Sequence, residues 1–361
     1  MRPSIPAIVS PAYDVGWFVA PGVAAAAIGL AIGLAGGPAR PVSPMVWVVT
    51  VVLVDVAHVW ASLYRTYLDP VARRIHRTRL VATPLLVLWV GFLVHLESPR
   101  AFWTLLAYVA IFHFVKQHVG FALLYARKAG ESPRDRRIVE AAVWAGTMAP
   151  VVWWHSHLPR EFAWFVEGDL VPGLPAVVGT IALALQVPVL AVFALRRLAL
   201  ARQGRRNPLL FALVLLPALN WHLGIVLFDD DRIFTITNVL LHGIPYLALV
   251  WLAGGRERVA RSLGGARPWA IVAAVYYGVL VVLALVEETL WDRLVWHDRP
   301  ELFGAADELA HPVLTAAVVA VLTVPQATHY VLDRWIWRVG PNNPELAGQL
   351  GFTGAARRDP P

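Results

Sequence analysis

The sequence predicts an all-α protein, a polytopic bundle of about ten transmembrane helices. Hydrophobic residues make up 58% of the 361 residues and charged residues only 15%, which is more apolar surface than a water-soluble domain of this size requires. Runs of about 20 apolar residues recur along the chain, and each matches the roughly 30 Å hydrocarbon thickness of a bilayer. We therefore predict a multi-pass integral membrane protein of the cell membrane.

The predicted helices follow the apolar runs in chain order. They cover residues 16–36, 46–64, 81–96, 101–125, 138–155, 170–195, 208–228, 233–253, 268–290 and 312–337. The segment before the first run, MRPSIPAIVSPAYDVGWF, lacks the basic region and cleavage pattern of a signal peptide, so the first helix is predicted to be retained. Residues 1–340 are predicted to form a single membrane domain. Residues 341–361 are too short and too rich in Gly and Pro to fold alone, which predicts a flexible cytoplasmic tail.

The basic residues are distributed unevenly between the predicted loops. Most of the 31 fall in alternate connections, which contain YRTYLDPVARRIHRTR, ARKAGESPRDRR, RRLALARQGRR and GGRERVARSLGGAR. The other connections contain only Arg40, Arg100, Arg160, Arg232, Arg293 and Arg299. By the positive-inside rule the basic connections are cytoplasmic, which places both termini there. The net charge of +7 therefore indicates topology, and we expect no nucleic-acid partner.

Polar residues inside the apolar runs are the main functional signal. A charged side chain near the bilayer centre costs about 2.5–3.5 kcal/mol on insertion scales, so such residues usually face the bundle interior and serve a function. Counting 1.5 Å per residue from the inner surface, imidazoles on four helices fall in a slab between about 9 and 18 Å deep. These are His58, His113, His118, His242 and His329.

These histidines predict a metal site. The chain has no cysteine, which excludes thiolate ligands and leaves imidazole as the natural ligand for iron, zinc or copper. The predicted metal ligands are His58, His113, His118, His222, His242, His329 and Asp333. The predicted supporting polar residues of the cofactor site are Gln117, Asn238 and Gln326. A lone histidine in a membrane helix is more often a helix–helix hydrogen bond than a ligand, so the prediction rests on several histidines lying at one depth.

Asp55 and Lys116 are the candidate catalytic residues. They are predicted to lie at the same depth, and Asp55 shares a helix face with His58, three residues further along. Lys116 is one of only two lysines in the chain. An ion pair between Asp55 and Lys116 is the favoured interpretation, and a role of Lys116 in substrate or oxygen chemistry is the alternative.

The dispersed histidines His58, His113, His118, His242 and His329, with no cysteine, resemble those of the histidine-rich integral-membrane iron enzymes. These enzymes include fatty-acid desaturases, alkane hydroxylases and the Brp/Blh carotenoid-cleaving oxygenases. The HxxxH and HxxHH boxes of the first two are absent here, and LLHGIPYL has the His-Gly pair of the third without the following Asp. The resemblance implies non-haem iron and oxygen chemistry on a lipophilic substrate.

The sequence therefore predicts a metal-dependent membrane oxidoreductase of the oxygenase, desaturase or hydroxylase type. We expect its partners to be membrane lipid, a lipophilic substrate (a lipid, a fatty acyl chain or an isoprenoid) and an electron donor. Two other functions stay open. One is a haem b electron-transfer protein, in which paired histidines would be axial ligands, and another transition metal is also compatible with these ligands. The other is a proton- or ion-coupled transporter that uses Asp55, Lys116 and the histidines as its path.

Overall fold

The structure is a computed structural model that describes residues 5–265, 267–340 and 343–352. Within these ranges the chain consists of helices and loops and contains no β-strand. Nine helices of the described residues are long and apolar enough to cross a membrane. The chain is thus a multi-pass integral membrane protein, and the prediction of an all-α fold is confirmed.

Ten long helices are numbered in chain order, and consecutive turns of different pitch are counted as one helix. They are α1 (Pro11–Ala35), α2 (Pro44–Arg65), α3 (Arg77–Glu97), α4 (Pro99–Lys128), α5 (Pro133–His155), α6 (Ala176–Arg202), α7 (Pro208–Leu227), α8 (Asp231–Ser262), α9 (Trp269–Trp296) and α10 (Pro312–Ile336). Each corresponds to one predicted apolar run. All except α5 are among the nine candidate spans of the described residues.

Several helices begin with proline after a capping side chain. Ser132 precedes α5 and accepts a hydrogen bond from the backbone N–H of Asp135 at 3.1 Å, and Asn207 precedes α7 and accepts one from Leu210 at 3.1 Å. Such a side chain satisfies an N–H group that the helix leaves unpaired, and proline at the first position loses no helical hydrogen bond. Helix α5 therefore begins at Pro133, five residues before the apolar run from which residue 138 was predicted as its start.

Helix α5 is less apolar than the other long helices because its neighbours cover much of it. It packs against α6 and α7. Gly146 of α5 lies so close to Ala218 of α7 that an added Cβ would be 2.7 Å from the Ala218 side chain. Gly179 of α6 approaches the backbone of Trp153 of α5 in the same manner. Small residues allow helices in membranes to approach closely, and a covered helix needs less lipid-facing surface.

Clustering of backbone contacts divides the chain into two compact units. Unit 1 comprises the chain up to Val42 together with Ala107–Pro245. Its core includes Phe18 of α1, whose ring lies 5.9 Å from that of Phe121 and 6.1 Å from that of Tyr125 on α4. The Tyr125 hydroxyl donates to buried Asp14 at 2.7 Å. Asp14 lies just before the predicted start of the first helix at residue 16, where a carboxylate would be solvated, but the structure buries it.

Unit 2 comprises Ser43–Leu106 and the chain from Tyr246 onward. Helices α3 and α10 pack side by side, and the buried guanidinium of Arg65 at the end of α2 donates to the carbonyl oxygens of Ala253 at 2.9 Å and Ile336 at 3.3 Å. Gln349, in a short helix Leu346–Gln349, accepts a further hydrogen bond from Arg65 at 3.0 Å. This helix falls in the predicted tail, of which 341–342 and 353–361 lie outside the described residues.

Helix α2 changes pitch along its length. Its middle part, Val48–Val56, has the wide turns of a π-helix, Ala57–Ala61 is α-helical and Ser62–Arg65 is a 3₁₀ turn. Wide turns inside helices occur frequently at functional sites. Asp55 and His58 lie at the transition from wide to regular turns.

Candidate metal centre

In unit 2, helices α2 and α10 each provide a histidine with a carboxylate one helical turn away. Asp55 Oδ1 lies 3.5 Å from Nδ1 of His58, and Asp333 Oδ1 lies 3.7 Å from Nδ1 of His329. The two imidazole rings are buried, their centroids are 5.0 Å apart, and the ring planes are nearly perpendicular. The predicted shared faces of Asp55 with His58 and of His329 with Asp333 are confirmed.

Tyr246 of α8 lies beside both of these histidines. Its ring centroid is 5.5 Å from that of His58 and 5.0 Å from that of His329, in edge-to-face arrangements. Its hydroxyl donates to Asp333 Oδ1 at 2.6 Å. Tyr246 therefore fixes the carboxylate that faces His329 and packs against both rings. Tyr246 was not among the residues predicted from the sequence, although its position four residues after His242 places it on the same face of the helix.

In unit 1, three further histidines lie together. The ring of His242 on α8 lies 5.2 Å from that of His113 and 6.0 Å from that of His118, both on α4. The His242 ring also stacks on Phe114 with centroids 3.6 Å apart and planes nearly parallel. All three histidines are buried. The convergence of buried histidines from α4 and α8 agrees with the depth estimated from the sequence.

The three predicted supporting residues make local hydrogen bonds. The Gln117 side-chain amide donates to the carbonyl oxygen of His242 at 2.8 Å, which ties α4 to α8 within unit 1. Asn238 donates to the carbonyl oxygen of Phe234, one turn earlier in its own helix, at 2.8 Å. Gln326 hydrogen-bonds to Tyr330. Their predicted cofactor role stays a prediction.

His58, His113 and His329 form a group that could hold a metal ion, and we call it the histidine group. Each offers one ring nitrogen, and these nitrogens all lie within 4.8 Å of one another. All three side chains are buried. Three of the seven predicted metal ligands thus meet the distance requirement for a shared ion.

The spacing and chemistry of the histidine group fit a transition-metal ion. Nitrogen ligands about 2.0–2.1 Å from an ion are separated from each other by about 3.0–3.4 Å at common coordination angles. The histidine nitrogens lie 4.8 Å or less apart. To bind one ion, the two nitrogens of each pair would therefore have to move closer together by at most about 1.8 Å. Metal-bound histidines usually present their second nitrogen to a carboxylate or carbonyl. Since Asp55 and Asp333 face Nδ1 of their histidines, Nε2 is the ring nitrogen that His58 and His329 would offer to an ion.

Two predicted site residues have other partners. Lys116 lies 3.7 Å from Glu140 of α5, above the Trp144 ring, and its side chain is 45% exposed. The predicted ion pair of Lys116 with Asp55 was therefore wrong, because depth alone does not determine how far a residue is rotated around its helix.

His222 of α7 also has partners of its own. Its Nε2 lies 2.7 Å from the Gln186 side chain, and its Nδ1 lies 2.6 Å from the carbonyl oxygen of Ala218.

Two acidic residues of α9 were also misjudged. The predicted end of this helix at residue 290 would leave Glu287 and Glu288 near a solvated helix end, yet they are only 7% and 8% exposed. The Glu287 carboxylate accepts a hydrogen bond from the Trp60 indole at 2.6 Å. The expectation failed because the helix was predicted to stop at residue 290, whereas α9 continues to Trp296. Two adjacent glutamates inside an apolar run of that length would have been the signal.

Comparisons of the chain with protein-family models, with curated proteins and with solved structures found no match.

Proposed function

We propose that this protein is a metal-dependent oxidoreductase embedded in the membrane, with non-haem iron as its metal and a lipophilic molecule as its substrate. The observation that carries the proposal is the histidine group, in which three buried imidazole nitrogens lie within 4.8 Å of one another. Neutral imidazole is the commonest side-chain ligand of transition-metal ions, and the chain has no cysteine that could offer a thiolate instead.

Three neutral imidazoles leave part of the coordination shell of an iron or zinc ion to other ligands. Bound iron would supply redox chemistry that couples reduction of dioxygen to oxidation of a substrate. In this proposal His58, His113 and His329 hold the ion, Asp55 and Asp333 orient His58 and His329, and Tyr246 holds Asp333.

The membrane setting supports a lipophilic substrate. The histidines lie within long apolar helices that are candidate membrane spans, so a lipid, a fatty acyl chain or an isoprenoid can approach from the bilayer. An apolar site also excludes water and protects reactive species from side reactions. Haem b is less well supported, because axial ligation uses two histidines on opposite faces of a flat ring, whereas here three nitrogens lie mutually close.

The test is the metal content and optical spectrum of the full chain purified in detergent. We expect about one equivalent of iron, no intense haem absorption, and loss of the metal in His58→Ala, His113→Ala and His329→Ala. His222→Ala is the matched control, because His222 is a histidine of another candidate membrane span, α7, and lies outside the histidine group. Equal metal content in the wild type and in all three variants would contradict the proposal, and stoichiometric zinc would contradict its redox part.

A second function is favoured by the acidic residues of α9. Glu287, Glu288 and Asp292 are each buried, and Asp55 interacts electrostatically with both glutamates. Buried carboxylates within membrane helices are typical of proton and ion paths. Proton flux in proteoliposomes that contain metal-free protein, abolished in Glu287→Gln and Glu288→Gln, would favour a transporter over the enzyme.

A further inference from the structure

Three arginine side chains of unit 2 surround a single tryptophan ring. The guanidinium carbons of Arg79, Arg338 and Arg334 lie 4.0, 4.8 and 5.5 Å from the centroid of the Trp335 ring. Arg79 belongs to the first turn of α3, and Trp335 and Arg334 belong to the last turn of α10. We call these four residues the arginine cluster. It places three positive charges around one indole ring of the unit.

The end of α10 does not need these arginines for its own hydrogen bonds. Basic side chains near a helix C-terminus often donate to its last carbonyl groups. Here the Asn343 side chain donates to the carbonyl oxygens of Trp335 at 2.8 Å and Arg338 at 2.9 Å, and Arg65 donates to that of Ile336. The guanidinium groups of the cluster are therefore not needed to pair these carbonyl groups, and they lie beside the indole ring of Trp335.

No carboxylate neutralises the cluster within the described part of the chain. The ion pairs there involve other arginines, such as Arg258 with Asp69, and none contains Arg79, Arg334 or Arg338. Three further exposed arginines lie nearby in the chain: Arg73 and Arg74 precede α3, and Arg77 is its first residue. Like charges this close repel each other unless an anion binds between them.

The cluster is held in position by buried neighbours. His76 lies in an arginine-rich connection but is buried, and its Nδ1 lies 3.2 Å from a guanidinium nitrogen of Arg79. Because arginine can only donate, this Nδ1 accepts the hydrogen bond and fixes one end of the guanidinium. The hydroxyl of Tyr67 donates to the carbonyl oxygen of Leu80 at 2.7 Å, which anchors the first turn of α3.

We propose that the arginine cluster binds the phosphate group of an anionic phospholipid. Guanidinium groups bind phosphate through paired, charge-assisted hydrogen bonds, and tryptophan is the residue that favours the headgroup level of a bilayer. The cluster lies at the ends of two candidate spans, where a lipid phosphate would lie. Groups of four to eight basic residues next to a membrane helix are typical of binding to anionic lipid. This site is independent of the histidine group and of the proposed reaction.

The test measures lipid retention by native mass spectrometry of full-length protein from nanodiscs that contain equal amounts of phosphatidylglycerol and phosphatidylcholine. We expect the wild type to retain phosphatidylglycerol in at least about tenfold preference, and a triple variant Arg79→Gln, Arg334→Gln, Arg338→Gln to lose this preference, since basic residues next to a membrane helix attract anionic lipid. The matched control is Arg256→Gln, Arg261→Gln, Arg267→Gln, which removes the same charge from arginines outside the cluster.

A second variant separates a built site from diffuse attraction and from misfolding. Arg79→Lys, Arg334→Lys, Arg338→Lys keeps the charge but removes the planar donors, so we expect a loss of preference with an unchanged melting temperature. An equal loss in the control variant would overturn the proposal. Displacement of the lipid by millimolar inorganic phosphate would show that the site takes free phosphate instead, and unchanged lipid retention together with lost binding of an acidic protein would show that it is a protein-docking surface.

Discussion

Asp55 and Asp333 show how a side chain one helical turn away can prepare an imidazole for a metal ion. Each places a carboxylate oxygen 3.5–3.7 Å from Nδ1 of a buried histidine. A carboxylate at this position fixes the ring orientation and the tautomer, and increases the basicity of the other nitrogen. The two acids lie on different helices, α2 and α10, so their effects on a bound ion are separable.

Replacement of either acid is expected to weaken metal binding. Asp55→Asn and Asp333→Asn should each lower the affinity about 10–100-fold, the usual effect of mutating a residue that supports a metal ligand, while metal still binds at saturation. The measurement is competition with a chromophoric chelator at fixed pH. Asp307→Asn, in an exposed loop, is the control and should bind as the wild type does. An affinity unchanged in both variants would show that these carboxylates do not support the ion.

Tyr246 makes a separate prediction because it contacts the site without offering a ligand. Tyr246→Phe removes the hydroxyl that donates to Asp333 but keeps the ring against His58 and His329. We expect a loss of about 1 kcal/mol in stability, typical of one hydrogen bond, and a weaker affinity for metal. Tyr277→Phe is the matched control, since its hydroxyl donates to the Leu53 carbonyl oxygen at 2.6 Å. It should lower stability without changing metal affinity, and equal affinities in the two variants would count against Tyr246.

At the scale of helices, the apolar runs alone predict the fold class and the existence of all ten long helices. Their boundaries depend on other signals. Helix α5 begins at Pro133 because Ser132 caps it, and α9 continues through Trp296 beyond the end of the purely apolar run. The longer α9 explains why Glu287 and Glu288 are buried, since a helix that ended at residue 290 would leave them near solvent.

The sequence predicts the depth of the candidate site residues in the membrane, but not which of them lie next to each other. Rise per residue places His58, His113 and His329 at similar levels, and the structure brings their nitrogens within 4.8 Å. Which helices are neighbours and how each is rotated depend on packing of the whole chain, which one sequence does not reveal. For that reason Lys116 was assigned to Asp55, although Glu140 of the adjacent helix α5 is its partner.

The packing of α5 against α7 can be tested through a pair of glycines. Gly146→Ala would place a Cβ 2.7 Å from the Ala218 side chain, so we expect destabilisation of about 1–3 kcal/mol from overpacking. Gly120→Ala, on an exposed position of α4 with open space around it, should be neutral or stabilising by up to about 1 kcal/mol, because glycine is a poor helix former. Thermal unfolding in detergent compares the two. Equal melting temperatures would mean that α5 and α7 do not pack this closely.

At the scale of the whole molecule, the basic residues connect topology with lipid binding. The segments that the positive-inside rule assigns to the cytoplasm include the one with Arg73, Arg74, Arg77 and Arg79. The phospholipid site proposed at the arginine cluster would therefore lie in the cytoplasmic leaflet. This assignment depends on the number of helices that cross the membrane, since one crossing more or less reverses the side of every later loop.

Helix α5 decides that number, because it alone among the ten long helices of the described residues is not a candidate span by composition. Its 23 residues correspond to roughly 35 Å of helix, which is enough to cross the hydrocarbon region. We expect it to cross, so that ten crossings place both termini in the cytoplasm.

The absence of native cysteine allows a direct test with single cysteines at exposed positions before and after α5, Arg134→Cys and Glu167→Cys. A membrane-impermeant maleimide applied to intact cells should label only the second, and applied to inverted vesicles only the first. Labelling of both from the same side would show that α5 does not cross, and would place the two termini on opposite faces of the membrane.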